Sequence, residues 1–424
     1  MKSVSKRFVL ICFLWCVFGL FLAADNEPFN LQTLIDEALT RNPTLKSLEK
    51  EKEAASFRIK PAQTLPDPMV ELGVKNMGLN NWMVGKDPSS GIVLSFSQVF
   101  PLFGKLKLAG NMARNTILTK QNEIDSAKLD VIRQIKTAYF ELYSLYRSVE
   151  ILEKQKDLLQ KALALSETRY SVGSGLQNDI FKAELEISRM DEMIIPMSEM
   201  IKSQEARINL LLDFPPDKPL GKPAALAVES MDISYKQLEE QFLQYSPKLK
   251  ESHTMEIERD LMVQMARKDF KPDVKVSSGW EFKGKLTGMF ELMLGLEIPL
   301  YAKRKQSERL KESRMMMEKS KLDTLSMKNG MLSELNEYYV KAKTAENLIR
   351  LYKTRIIPQA NLALEASFTA YPVNKTDFMS LIQDISSLFS AQLALHRELS
   401  QLWSAMAEIE SITGVPLLNP KEIQ

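Results

Sequence analysis

Tyr170-Ser171-Val172-Gly173-Ser174-Gly175 ends a stretch that decides the fold. Upstream of it, residues 105–170 contain no Pro and a single Gly, Gly110, so nothing in the composition stops a helix. Ile124, Ala127, Val131, Ile135, Ala138, Leu142, Leu145, Val149 and Leu152 recur at spacings of three and four, a heptad-like seam for lengthwise packing. Roughly 65 residues at about 1.5 Å each make a rod of about 100 Å. A globular core has no use for such a rod; a tube or a bundle does. The two glycines supply the backbone angles of a reversal. Helical spacing resumes beyond them at Ile180, Ala183, Ile187 and Met190.

The rod has a second copy. Residues 34–45 (LIDEALTRNPTL) match residues 238–249 (LEEQFLQYSPKL), and each carries a polar N-cap candidate before Pro: Asn42-Pro43 and Ser246-Pro247. Helices are predicted from there to about Gln63 and Phe270. Leu65-Pro66-Asp67-Pro68 and Lys271-Pro272-Asp273 stop them. Two strand-like runs follow in each half, then Phe100-Pro101-Leu102-Phe103 and Ile298-Pro299-Leu300-Tyr301, each opening a long helix. Tyr371-Pro372-Val373 answers Tyr170-Ser171-Val172, and each half ends on a further helix, at 208–215 and 409–416. These landmarks recur at a shift of about 200 residues, an internal repeat. The expected layout is a first repeat over 25–215 (strands about 68–77 and 89–100, long helix 105–170, return helix 177–212) and a Pro-rich linker over 216–232. A second repeat follows over 233–416 (strands about 273–283 and 288–299, long helix 303–370, return helix 376–413), then a tail over 417–424. The fold class is mainly α with membrane β-strands, built as a duplicated helix–β-hairpin–long-helix unit.

Residues 1–24 place Lys2, Lys6 and Arg7 before an apolar run and Ala23-Ala24, the pattern of a cleaved secretory signal peptide. The run is short for an uncleaved spanning anchor. The two cysteines, Cys12 and Cys16, fall inside it, so the mature chain is expected to hold neither a disulfide nor a thiolate metal site. Trp15 before Cys16 is a poor match to a lipoprotein site. Removing Lys2, Lys6 and Arg7 from 56 basic residues leaves 53 against 54 acidic ones, a net charge near −1 that gives no reason to expect nucleic acid.

The strands carry the location. Val274, Val276, Trp280 and Phe282 share one face, with Lys275, Ser277, Gly279, Glu281 and Lys283 on the other. Phe290, Leu292, Leu294, Leu296 and Ile298 alternate with Met289, Glu291, Met293, Gly295 and Glu297. Val70, Leu72 and Val74 alternate with Glu71, Gly73 and Lys75, and Ile92, Leu94 and Phe96 with Val93, Ser95 and Ser97. Each run has about the length of a tilted membrane strand, apolar outward and polar inward. Soluble hairpins packed on helices would show the same alternation; the signal peptide and the repeat favour the membrane. Four strands close no membrane barrel, since the smallest have about eight. An open edge in lipid strands backbone polar groups, so several chains must share one barrel.

Taken with Asn42-Pro43 after Ala38-Leu39, Pro101 and Pro299 at the strand-to-helix junctions, and Arg169-Tyr170-Ser171-Val172-Gly173 followed by Asp179, this order resembles the TolC-like outer-membrane efflux proteins over residues 31–416. The resemblance implies a homotrimer with a twelve-stranded barrel and a long helical tunnel through the periplasm. It also implies docking to a periplasmic adaptor and an inner-membrane pump, in outer-membrane lipid. Residues 65–78 look closest to the metal-cation branch. By the same resemblance, Val172-Gly173-Ser174 and Val373-Asn374-Lys375 are the tips that meet the adaptor. Asp179 and Asp377, with Tyr170 and Tyr371, stand where the family narrows its tunnel. Asn374 departs from Gly173, although Asn tolerates the left-handed turn. Asp179 and Asp377 are also well placed simply to cap the returning helices.

Pro101 and Pro299 are expected to end a strand and begin a rod, redirecting the chain from barrel to tunnel. Loops 76–89 and 283–288 are expected outside the cell, with Trp82 in the first; Trp82 or Trp280 would suit an interfacial position. No enzyme constellation appears: His253 and His396 stand apart without ligand clusters, no phosphate loop or Walker lysine is present, and no cofactor or metal site is expected. Met315-Met316-Met317 point to different helix faces and suit flexible packing better than soft-metal binding. The competing function is a secreted periplasmic coiled-coil structural or adaptor protein.

Overall fold

The computed structural model describes residues 30–78, 83–224 and 230–417. The signal segment with Cys12 and Cys16, and the loop residues Asn81 and Trp82, lie outside the described residues. The first half runs α1 (Leu31–Arg41), α2 (Pro43–Ser56), α3 (Ile59–Gln63), β1 (Met69–Lys75), β2 (Gly91–Phe100), α4 (Lys105–Ser171) and α5 (Gln177–Leu211). The second runs α6 (Tyr235–Tyr245), α7 (Pro247–Lys268), β3 (Asp273–Lys283), β4 (Leu286–Glu297), α8 (Gln306–Leu351), a π-helical turn (Tyr352–Ile356), α9 (Ile357–Ala370) and α10 (Phe378–Thr413).

Local chemistry explains most boundaries. Asn42 caps α2 by accepting from the amides of Thr44 (3.0 Å) and Leu45 (3.3 Å), while its Nδ2 donates to the Leu211 carbonyl at 3.1 Å. Ser246, expected to cap α7 in the same way, makes no such bond, and its buried hydroxyl has no partner among the described residues. The helix expected to reach Gln63 breaks after Ser56, because Pro61 has no N–H to give the Phe57 carbonyl. The second long helix, expected unbroken over 303–370, is interrupted by the π turn. Pro358 cannot donate to Thr354, and its ring crowds that carbonyl, so the backbone widens over the preceding residues. Its counterpart α4 runs 67 residues without a break.

The four strands form one antiparallel meander, β1-β2-β3-β4. The register places Leu72 opposite Leu94, Leu94 opposite Trp280, and Trp280 opposite Phe290, so the apolar residues line up across one face. That face is bare in a single chain: Leu72 is 76% and Leu294 74% exposed. The other face carries Glu71, Ser95, Gly279 and Glu291 in one cross-strand row. Among the described residues both edge strands, β1 and β4, lack a partner on their outer sides, the arrangement of a sheet that other copies complete.

Below the sheet the helices pack side by side, α4 against α2, α5, α7 and α10, and α8 against α7 and α10. The α4 seam is the core: Ile135, Ala138, Leu142 and Leu152 are fully buried. An upper cluster joins the two halves through Phe140, Tyr143 and Trp403, with ring centroids 5.6 and 5.2 Å apart, and takes in Leu238 and Phe242 of α6. A lower cluster gathers Leu159, Ala183, Tyr371, Phe378 and Ile385. Within the upper cluster, Lys136 of α4 pairs with Glu410 of α10, both buried.

Candidate functional site

The two reversals lie at the end of the helices away from the sheet. In the first, Gly173 adopts φ +74°. The amides of Ser174 and Gly175 donate to the Arg169 carbonyl at 2.9 and 3.0 Å, closing the helix end. In the second, Asn374 takes the left-handed position at φ +61°, and the Lys375 amide donates to the Ala370 carbonyl at 3.0 Å. Val172 and Val373 are exposed at the two tips, with Ser174 and Lys375 beside them.

One side chain ties the two hairpins together. The guanidinium of Arg169, on the first hairpin, donates to the Tyr371 carbonyl at 2.7 Å and to the Ser174 carbonyl at 3.0 Å, and bonds the Asn374 side chain. It also stacks 4.2 Å from the centre of the Tyr371 ring. The Tyr371 hydroxyl sits 3.1 Å from Ser166 Oγ and donates to Asp179 Oδ2 at 3.3 Å. Burial is the main reason the Tyr371 phenol is pushed above its ordinary pKa, and the Asp179 charge adds to it.

The paired positions are therefore unlike. Tyr371 is 1% exposed and Tyr170 is 48% exposed. Asp377 is the N-cap of α10: its Oδ1 accepts from the Ser380 amide and its Oδ2 from the Ser380 hydroxyl, both at 2.9 Å. Those bonds hold its pKa below the usual carboxylate value. Asp179 caps nothing through its side chain; it lies in the first turn of α5 and meets Tyr371.

At the other end of the rods, Pro101 follows the last residue of β2, but α4 starts only at Lys105, so Pro101 lies outside the first helical turn expected for it. Phe103 (φ +59°) and Gly104 (φ +74°) turn the chain instead. Asp273 holds that turn, accepting from the Leu102 amide at 3.2 Å and pairing with Lys105 at 2.8 Å. Pro299 likewise follows β4, with α8 starting at Gln306 after a run of turns.

Residues 34–212, the first repeat, match the family model described as outer membrane efflux protein. Over these residues the chain is similar to the outer membrane efflux protein family. The second repeat rebuilds the same order of helix, hairpin and long helix. The chain is 20% identical over 401 residues to the cobalt-zinc-cadmium resistance protein CzcC of Cupriavidus metallidurans, with 91% of this chain and 90% of that one covered. Its fold is similar to that of the outer membrane protein VceC of Vibrio cholerae (TM-score 0.76, 18% identity, 91% of this chain and 96% of that one). It is also similar to CusC (TM-score 0.77, 16% identity, 93% and 95%).

The family match of the first repeat and the channel fold of the whole chain support a passive exit duct rather than an enzyme, with its sheet in a shared barrel in the outer membrane and its helices in the periplasm. Family members work as trimeric channels with an adaptor and an inner-membrane pump. These likenesses give no support to a secreted adaptor. Among the described residues no group of three or more His, Cys, Asp or Glu could hold a metal ion. His396 packs against Tyr143, and burial lowers its pKa. Met315 and Met316 are exposed rather than packed, although Met316 lines a groove with Met112, Met262 and Met265.

Sequence reasoning passed over Arg169, Ser166 and Asp273 as site residues. Arg169 was legible only as one basic residue in a helix-ending motif. Its partners lie about 200 residues away, and no spacing rule reaches that far.

Proposed function

We propose that this duct serves a tripartite system exporting metal cations, and that its tunnel rests closed at the hairpin tips until an adaptor docks on them. The observation that carries the gate is the Arg169–Tyr371–Asp179 network, which fastens the first hairpin to the second at the tunnel end. Val172-Gly173-Ser174 and Val373-Asn374-Lys375 are the docking tips. They are exposed and border that network, so a partner gripping them can pull it apart. In a trimer Asp179 and Asp377 recur three times around the axis. The six carboxylates favour cations over anions and can hold a multivalent cation that blocks flow. Asp377 contributes charge from a capping position, whereas Asp179 is also part of the fastening. The name of CzcC, a cobalt-zinc-cadmium resistance protein, supports a metal cation as cargo. Pro101 and Pro299 keep a structural role, ending strands where the chain leaves the barrel.

Planar-bilayer recordings of the purified trimer test the gate. Arg169→Ala should raise open probability, and Asp179→Asn with Asp377→Asn should weaken cation selectivity and multivalent block. Unchanged selectivity with a lowered melting temperature would leave both aspartates as structural groups. Ser174→Trp should abolish efflux while the trimer stays folded; normal efflux would place docking elsewhere.

A further inference from the structure

The end of the sheet nearest the helices carries a collar of positive charge. Three connections meet there: residues 101–104 between β2 and α4, residues 269–272 between α7 and β3, and residues 298–305 between β4 and α8. The first two touch, and Arg309 at the start of α8 reaches Asp269 of the second at 3.5 Å. Lys268 Nζ bonds the Phe103 carbonyl at 2.5 Å, and the Lys271 ammonium lies 5.8 Å from the centre of the Phe103 ring. Arg267, Lys271, Lys303, Arg304 and Lys305 are all exposed, and none of the five makes an ion pair among the described residues. Such a concentration stands out in a mature chain whose net charge is near −1. Apolar groups border it: Leu300 is 83% and Tyr301 78% exposed, directly below the bare apolar face of Leu294 and Leu296.

Position decides the partner. The apolar face is the lipid-contacting surface of the barrel, so the collar sits where the hydrocarbon gives way to headgroups on the periplasmic side. An exposed Tyr beside Lys and Arg suits that interface, with ring and stems in the apolar layer and charged ends among headgroups. We propose that this collar binds anionic phospholipid headgroups of the periplasmic leaflet and seats the trimer at a fixed depth. Phospholipid is favoured over an acidic protein because the collar is continuous with the lipid-facing sheet.

Native mass spectrometry of the detergent-solubilised trimer, titrated with cardiolipin, phosphatidylcholine or lipopolysaccharide, tests this. The wild type should bind cardiolipin in preference. Each basic residue removed near the surface should weaken cardiolipin binding roughly fivefold. Lys303→Gln and Lys305→Gln, singly and then with Arg304→Gln, should show graded losses while phosphatidylcholine binding holds. Tyr301→Ser should weaken both lipids alike, and Lys303→Arg with Lys305→Arg should retain wild-type affinity. Equal affinity of the wild type for the two lipids would overturn the proposal. So would unchanged cardiolipin binding in the single variants, or a preference for lipopolysaccharide over cardiolipin.

Discussion

The two halves of the chain share one plan and spend the same positions differently. Gly173 and Asn374 both hold a left-handed turn, the first free of side-chain contacts and the second bonded through its amide to Arg169. Tyr170 faces solvent while Tyr371 is buried under that arginine. Near the ends of the return helices, Asn209 and Glu410 match at the same shift of about 200 residues. Asn209 donates to the carbonyls of Pro216 (3.3 Å) and Lys218 (2.7 Å). Glu410 accepts from the Leu417 amide (2.7 Å) and pairs with Lys136. The comparison teaches that duplication conserves where the chain must turn and tie itself down, and leaves the polar chemistry of each tie free to diverge.

The widest gap should appear at those ties. Lys136→Ala removes the buried Lys136–Glu410 pair, and breaking a buried pair from one side costs about 3–5 kcal/mol. Asn209→Ala leaves two carbonyls short of a donor, at about 1–3 kcal/mol. Thermal unfolding of the trimer followed by circular dichroism should rank them in that order; equal losses would mean the two ties are equivalent after all.

At the tips, Gly173→Val should cost about 1–2 kcal/mol, because a branched residue is forced left-handed. Gly173→Asn should be milder, since Asn374 already works at the same angle. If Val and Asn were equally tolerated, the φ of +74° would not be what Gly173 is there for.

A smaller contrast lies between the tyrosines. Tyr371→Phe removes the bonds to Ser166 and Asp179 and should lower stability by about 1 kcal/mol while raising channel open probability. Tyr170→Phe should change neither. Identical behaviour in single-channel recordings would erase the asymmetry.

The smallest effect concerns acid. The folded pKa of Asp377 is lowered, chiefly by the Ser380 amide bond. Its contribution is therefore present above an unfolded pKa of about 4 and is lost as pH falls through the folded value. Asp377→Asn keeps a capping side chain but should remove that part of the acid dependence, whereas Asp179→Asn should leave it in place. Melting temperatures across the acid range would show a flattened curve only for the first.

Much of the architecture was legible because it is written at short range. The α4 seam, the alternation in β3 and β4 and the glycine turn at Gly173 each depend on residues a few positions apart. Pro358 is a short-range signal as well, but the helix expected over 303–370 took no account of it, and the π turn at 352–356 follows from its missing N–H. Ser246 shows the converse: a good capping residue in a capping position that makes no capping bond.

By itself the sequence determined that this chain is a doubled set of rods and amphipathic strands, and that its strands need other copies to close. Periodicity and backbone sterics act locally and survive in any context. The tertiary structure alone decided which of two equivalent aspartates caps and which meets a tyrosine, and that Arg169 reaches Tyr371 and Asn374. It alone brought Asp273 to Lys105 and gathered two separate basic segments into one collar. Those outcomes rest on contacts between residues far apart in the chain, and such distances exist only once the helices have packed.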